Sequence, residues 1–254
     1  VEGLFWNCLG IGLSEVIVYA NRFEPSYLNP VTVYLINSGR NEISDARARG
    51  TGDNTLVTAD LRLSLRGLEI YSELLVDDAS PAEPLHHWDT KFGFLSGIYL
   101  TDPFGIQNTD FHIEYTFINQ YAYTHENPEN VFKHYNTVIG HSIGTDADSL
   151  WVSLKKKLTR RLAASLVYQV ERHGEGDIDK PHNMNKSAAP TDLWTPLSGL
   201  TERNIKISSK IDFTEIGDYR FSLELGRLFI KNFQNKPDSY QSYVELRLAG
   251  YYRF

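Results

Sequence analysis

The sharpest chemical motif in the chain is Gly140-His141-Ser142-Ile143-Gly144, which fits the G-x-S-x-G pattern of a hydrolase nucleophile elbow. That chemistry needs the serine on a strained turn between a strand and a helix, with a downstream acid and histidine to activate it. Here Thr145 to Leu158 reads as a turn followed by an alternating strand, and no βαβ pattern surrounds the motif. A barrel-embedded lipase using Ser142 with His141 or His125 is a second catalytic reading, but no third partner fixes it. The carboxylates Asp77-Asp78 and Asp146/Asp148 are hard oxygen ligands of the kind calcium takes. Their spacing matches no calcium-loop signature, and solvated turn carboxylates account for them better. Cys8 has no second cysteine to pair with, and no Cys/His spacing fits zinc. These residues therefore predict no catalytic group, no metal and no cofactor.

Three long polar segments carry aromatic and imidazole side chains together. Asp77 to Asp89 holds His86, His87 and Trp88; Tyr121 to His141 holds Tyr121, Tyr123, His125, His134 and Tyr135; His173 to Glu202 holds His173, His182 and Trp194. Aromatic faces stack on the C–H faces of sugar rings while polar neighbours bond the hydroxyls, so His87, Trp88, Tyr123, His125 and Trp194 are candidate polysaccharide-binding residues. The competing account is that these rings form an interfacial girdle or pack the loops together.

The elements that must position them read as strands. Aromatic residues make up 13% of the 254, there is one Met, and no stretch approaches the roughly 18 apolar residues of a spanning helix. Mean hydropathy is −0.35, ordinary for strands that are apolar only at alternate positions. Ile205, Ile207, Ile211 and Phe213 alternate with Lys206, Ser208, Lys210 and Asp212; Leu246, Leu248, Tyr252 and Phe254 alternate with charged or small neighbours. The same period runs through 61–76, 111–117, 150–155 and 162–170, giving about eleven or twelve strands in all. Connections alternate in length: tight at Arg66-Gly67, Thr159–Arg161 and Thr214–Asp218, long at 37–54, 77–90, 119–149 and 173–202. The pattern predicts an all-β, antiparallel transmembrane β-barrel occupying 1–254 as one domain, with the long loops outside and the C-terminus periplasmic. A soluble sandwich or lipocalin-like barrel, with its apolar face inward, is the alternative. The terminal Phe254 in register with its strand resembles the signal read by the barrel assembly machinery. The opening Val1-Glu2-Gly3 has neither a charged n-region nor an apolar h-region, so a mature chain or a fragment is expected. A formal net charge of −7 makes nucleic acid an unsuited partner.

Several segments together resemble the Wzi-type capsule assembly proteins of the bacterial outer membrane. They are Ser14-Glu15-Val16-Ile17-Val18-Tyr19, Asn21-Arg22-Phe23-Glu24-Pro25, Tyr27-Leu28-Asn29-Pro30, Gly52-Asp53-Asn54, and Ile70 to Asp78 with Glu73, Asp77 and Asp78. The stretch Ile139 to Asp148, which contains His141, and Arg172-His173-Gly174 belong to the same resemblance. It runs from about Glu15 to Phe254 and absorbs the apparent hydrolase elbow into a family turn. Family members are larger, with extra strands before the matched region, so the resemblance implies that this chain is a barrel or the C-terminal part of a larger one. It also implies a non-enzymatic role in retaining or organising capsular or other surface polysaccharide, with outer-membrane lipid around the strands. Two other functions compete: a porin-like channel for small solutes, and the barrel hydrolase using Ser142. The mixed signs on the charged face predict cross-strand ion pairs and a narrowed or plugged interior rather than an open pore.

Overall fold

A computed structural model describes residues 1–29, 52–78, 91–181, 196–214 and 219–252. Thirteen strands are present: β1 (Glu2–Phe5), β2 (Leu9–Val18), β3 (Asn54–Leu65), β4 (Leu68–Asp78), β5 (Lys91–Thr101), β6 (Thr109–Ile118), β7 (Lys133–His134), β8 (Thr137–Val138), β9 (Ala147–Lys157), β10 (Leu162–His173), β11 (Glu202–Thr214), β12 (Tyr219–Lys231) and β13 (Tyr240–Tyr252). Eleven of them form one antiparallel sheet in the order β1-β2-β3-β4-β5-β6-β9-β10-β11-β12-β13, and β7 and β8 make a separate small hairpin. The expected all-β antiparallel architecture of about eleven or twelve strands is met by the eleven strands of the main sheet, beside the β7–β8 hairpin. Among the described residues β1 and β13 stand at opposite edges of that sheet and do not pair with one another, so the sheet is open there. Closing a sheet requires those edge groups to find partners.

Side-chain alternation gives the sheet two unlike faces, because each successive residue points to the opposite side. On one face lie Leu154, Leu166, Ile207, Leu223, Leu225 and Leu246, all exposed. A soluble sandwich buries its apolar face, so this exposure argues against that alternative and fits strands that meet lipid. No helix among the described residues is long and apolar enough to cross a membrane, which says nothing of strands. The opposite face carries the charges, and the predicted cross-strand pairing is present in Lys206 to Glu245 at 2.6 Å and Arg247 to Glu224 at 3.6 Å, while Lys210 pairs with Asp212 of its own strand at 2.8 Å.

Because every neighbour in the sheet is antiparallel, connections alternate between two ends. Residues 6–8, 66–67, 102–108, 158–161 and 215–218 join strands at one end; 19–53, 79–90, 119–146, 174–201 and 232–239 join them at the other. The predicted asymmetry of short turns against long loops is thus observed, with β2 extending the first long connection back to residue 19. Two connections at opposite ends share one backbone. Left-handed residues fall at Asp102, Phe104, Gly105 and Asn108 in one, and at Asn232, Gln234, Asn235 and Asp238 in the other. Asp, Asn and Gly are the residues that best tolerate such φ values.

Among the described residues, the packed core lies at the long-loop end. Leu56, Ile118, Ala122, Tyr123, Phe132, Ile143 and Ala147 form it, with Val18, Leu75, Val138 and Ile178 against them. By parity with Asp60, Glu73 and Glu114, the strand residues Leu56, Leu75 and Ile118 belong to the charged face. The 119–146 connection folds back onto that face, where the ends of β2, β3, β4 and β6 present the apolar Val18, Leu56, Leu75 and Ile118 to receive it. This folded-back connection forms a plug, a cover over the long-loop end of the charged face.

Candidate functional site

The plug is fastened to its neighbours by polar side chains at the strand ends. A β-bulge interrupts the β4–β5 register between Val76 and Asp78. Such an irregularity re-aims a side chain, and the carboxylate of Asp77 accepts the Tyr123 backbone N–H at 2.6 Å. Asn54 donates its amide to the Asn130 carbonyl at 3.0 Å, and Asn130 returns a bond to the Gly52 carbonyl at 2.9 Å. Asn21 bonds Glu129, and Lys133 pairs with Asp179. Asp53 accepts from both Arg22 and Tyr27, while Glu24 caps the turn at Ser26 and lies 3.9 Å from the Arg22 guanidinium. The bond to Asp53 holds the Arg22 guanidinium above its ordinary value, and the bonds from Ser26 hold the Glu24 carboxyl below its own.

Asp146 is the densest node of this network. It is fully buried, at positive φ, and accepts from the Gly176 N–H at 2.7 Å, the Ser198 N–H at 3.0 Å and the Ser198 hydroxyl. A Cβ on Gly174 or Gly176 would fall onto its carboxylate, so those glycines permit the close approach. Asp146 thereby ties the connection between β6 and β9 to the one between β10 and β11.

Beneath the plug, the charged face opens into a cavity of about 280 Å³. Its walls are His112, Glu114 and Thr116 of β6, Ser149 and Trp151 of β9, and Gln169 and Glu171 of β10; its ceiling is His141, Ser142 and Ile143. The β6–β9–β10 register sets Glu114, Trp151 and Gln169 side by side on one row. The Tyr71 hydroxyl sits between Glu114, to which it donates, and His112 Nε2 at 2.6 Å. His112 in turn meets the Trp151 ring edge-on, with centroids 4.8 Å apart. Gly97, directly across from Tyr71, lets that phenol lie flat against the sheet, since a Cβ there would overlap the ring.

The structure separates the predicted candidates. Tyr123 is buried, stacked on Phe132 at 5.6 Å and laid over Gly140, with its hydroxyl accepting the His141 N–H at 3.2 Å. It offers no open ring face and serves to pack the plug; burial pushes its phenol up. His125 is half-buried, and its Nδ1 accepts the Asn127 N–H at 3.0 Å. Burial lowers its pKa. His87, Trp88 and Trp194 lie outside the described residues, as does Phe254. Of the residues carried by the resemblance, Arg22, Glu24, Tyr27, Asp53, Asn54, Asp77 and His141 fall within the plug and its fastenings. Glu73 is exposed on the charged face, Glu15 shares the parity of Ile11 and Leu13, and Asp78 ends β4 opposite Lys91. Ser142 sits in a turn closed by Gly144 N–H to His141 carbonyl at 3.0 Å, and it bonds no histidine among the described residues. The strand-turn-helix of a nucleophile elbow is not formed there.

The cavity residues Glu114, Trp151, Gln169 and Glu171 were not among the sequence candidates. Their alternation placed some of them on the charged face, but only the register across β6, β9 and β10 reveals that they converge.

No individually curated protein matches the chain. The model of the family described as capsule assembly protein Wzi matches residues 9–238, well over half of the sequence, and spans both the fastened plug and the cavity beneath it. The chain belongs to the Wzi capsule assembly family.

Proposed function

We propose that this protein sits in the bacterial outer membrane and organises capsular or other surface polysaccharide there, with its long-loop end turned to the outside. The family name supports a role in capsule assembly at the surface. The observation that carries the reading is the inward fold of 119–146, which packs a buried core onto the charged face where a channel would need open water. The exposed apolar face meets lipid, and the barrel assembly machinery inserts the strands. Trp88, Trp194 and His87, on the long connections, contact the glycan by ring stacking and hydrogen bonding. Cells carrying Trp88→Ala together with Trp194→Ala should shed polysaccharide into the medium while keeping normal amounts of the protein in the outer membrane. Full retention by that double variant sinks the reading. The porin-like alternative separates by conductance: planar bilayers containing the protein should stay silent, and steady open-channel current would favour transport instead.

A further inference from the structure

We infer that the cavity beneath the plug is a binding site for one uncharged sugar ring, and that it rejects uronic acids. This rests on the polysaccharide-organising reading and adds to it a second, interior site with a defined preference. Three features converge. First, Trp151 lines the cavity wall, its indole held by the T-shaped contact with His112, and stacking on an indole suits the C–H surface of a pyranose. Second, the polar groups around it are those that read hydroxyls: the carboxylates of Glu114 and Glu171, the amide of Gln169 and the hydroxyl of Ser142. Glu114 spends one carboxylate oxygen on the Tyr71 hydroxyl, and its Oε1 has no partner among the described residues. Glu171 takes the Gln169 amide at 2.6 Å and is approached by His173 at 3.7 Å, so the two carboxylates are held in place by neighbours. Third, among the described residues no Lys or Arg lines the cavity. The cation nearest in register is Lys206, opposite Gln169, and its ammonium is paired with Glu245 at 2.6 Å.

Charge decides the class of ligand. A carboxylate-bearing sugar would face two carboxylates with no lining Lys or Arg among the described residues to offset them, and like charges brought together repel. A neutral ring instead brings hydroxyl donors to carboxylate acceptors, the charge-assisted kind of hydrogen bond. At about 280 Å³ the space lies near the roughly 300 Å³ lower bound of small-molecule sites, which fits a single ring rather than several.

The test uses the full chain in detergent micelles, with Trp6, Trp88 and Trp194 replaced by Phe so that Trp151 is the one emitter. The probes are the neutral trimers of glucose, galactose and mannose and, as the acidic counterpart, the trimer of galacturonic acid. At least one neutral trimer should shift Trp151 emission and slow its quenching by acrylamide, while the galacturonate trimer should do neither. In Glu114→Gln/Glu171→Gln the galacturonate trimer should gain affinity by at least about tenfold, the change expected when like-charge repulsion is removed. A galacturonate response as strong as the neutral one in the parent protein overturns the inference. So does silence of Trp151 towards all the trimers, or a double variant that still excludes the acid. Polysaccharide retention in cells carrying Trp88→Ala/Trp194→Ala is scored separately: shedding there with a silent Trp151 removes the interior site alone, and retention there removes the surface reading.

Discussion

At the short-turn end, strands are joined by little more than backbone. Gly67 accepts from the Thr101 N–H at 2.9 Å, Leu158 and Thr159 both donate to the Leu162 carbonyl, and the side chains around these turns are solvated. At the long-loop end, the connections bury a core and are bonded to one another through Asp53, Asn54, Asp77, Asn130 and Asp146. The same antiparallel ladder feeds both ends. What differs is whether the connection is long enough to bring apolar residues of its own, since only then does it repay the ordering of its backbone. Stability at one end is local, and at the other it is shared among distant segments.

That contrast can be broken first at its densest node. Asp146→Ala removes the acceptor of two backbone N–H groups and one hydroxyl in a buried site and should cost roughly 3 kcal/mol, because buried donors left unpaired carry their full desolvation penalty. Urea unfolding in lipid vesicles would read the loss, and hydrogen exchange should speed at both 119–146 and 174–178. Exchange confined to one segment would mean that the two connections are not coupled. A smaller effect is expected from Arg172→Ala. It strips the bidentate partner from the buried carboxylate of Asp148 and leaves only the Tyr115 hydroxyl, at 3.1 Å. About 2 kcal/mol should be lost in the same unfolding measurement, below the Asp146 variant because the guanidinium is half-exposed.

Acidification probes the comparison without mutation. Burial lowers the pKa of His125 in the folded plug, so between that value and the ordinary His value of about 6.5 the opened chain binds more protons. The His125 contribution is thus fully present above about 6.5 and is lost as pH falls through that window towards the folded pKa. Amide exchange across 119–132, corrected for its intrinsic pH dependence, should rise on acidification, while exchange at 158–162 should not. His125→Gln should flatten the response, and an unchanged profile in that variant would assign the effect elsewhere. Lys156→Ala at the short-turn end should have the least effect, within about 0.5 kcal/mol, although Lys156 bonds the Gln107 carbonyl at 2.6 Å.

Much of this architecture was legible in the residues. The alternation of Ile205, Ile207 and Ile211 with Lys206, Ser208 and Lys210 fixed both the strand and its two faces, and the Thr159–Arg161 turn fell where β9 meets β10. Closure was not legible, since it depends on whether the edges of β1 and β13 find partners and no residue in either strand reports that. The cavity escaped for a related reason. Glu114 and Gln169 are 55 positions apart in sequence and meet only because both pair across Trp151, a register set by β6, β9 and β10 together. Polar neighbours such as Thr124 and His125 leave Tyr123 open to either of its two readings, sugar stacking or packing of the loops. Its burial comes from Phe132 and Gly140, which reach it only when the loop turns back on itself.

The twin hairpin connections at 102–108 and 232–238 have a practical side. Their left-handed residues fall at matching positions, but their surroundings differ: Asn235 donates to the His173, Gly174 and Leu200 carbonyls and the Gln234 N–H to Glu202, whereas 102–108 accepts from the Lys156 ammonium and the Lys157 N–H. Exchanging the two heptapeptides would carry the exposed Phe104 to the opposite end of the sheet and put Gly105 where Asn235 makes its three bonds, so the cost would fall at the long-loop end. The 119–146 connection admits no such transplant, because its anchors are scattered over four other segments. An epitope tag or label for mapping which side of a membrane the short-turn end occupies therefore belongs at the exposed Phe104.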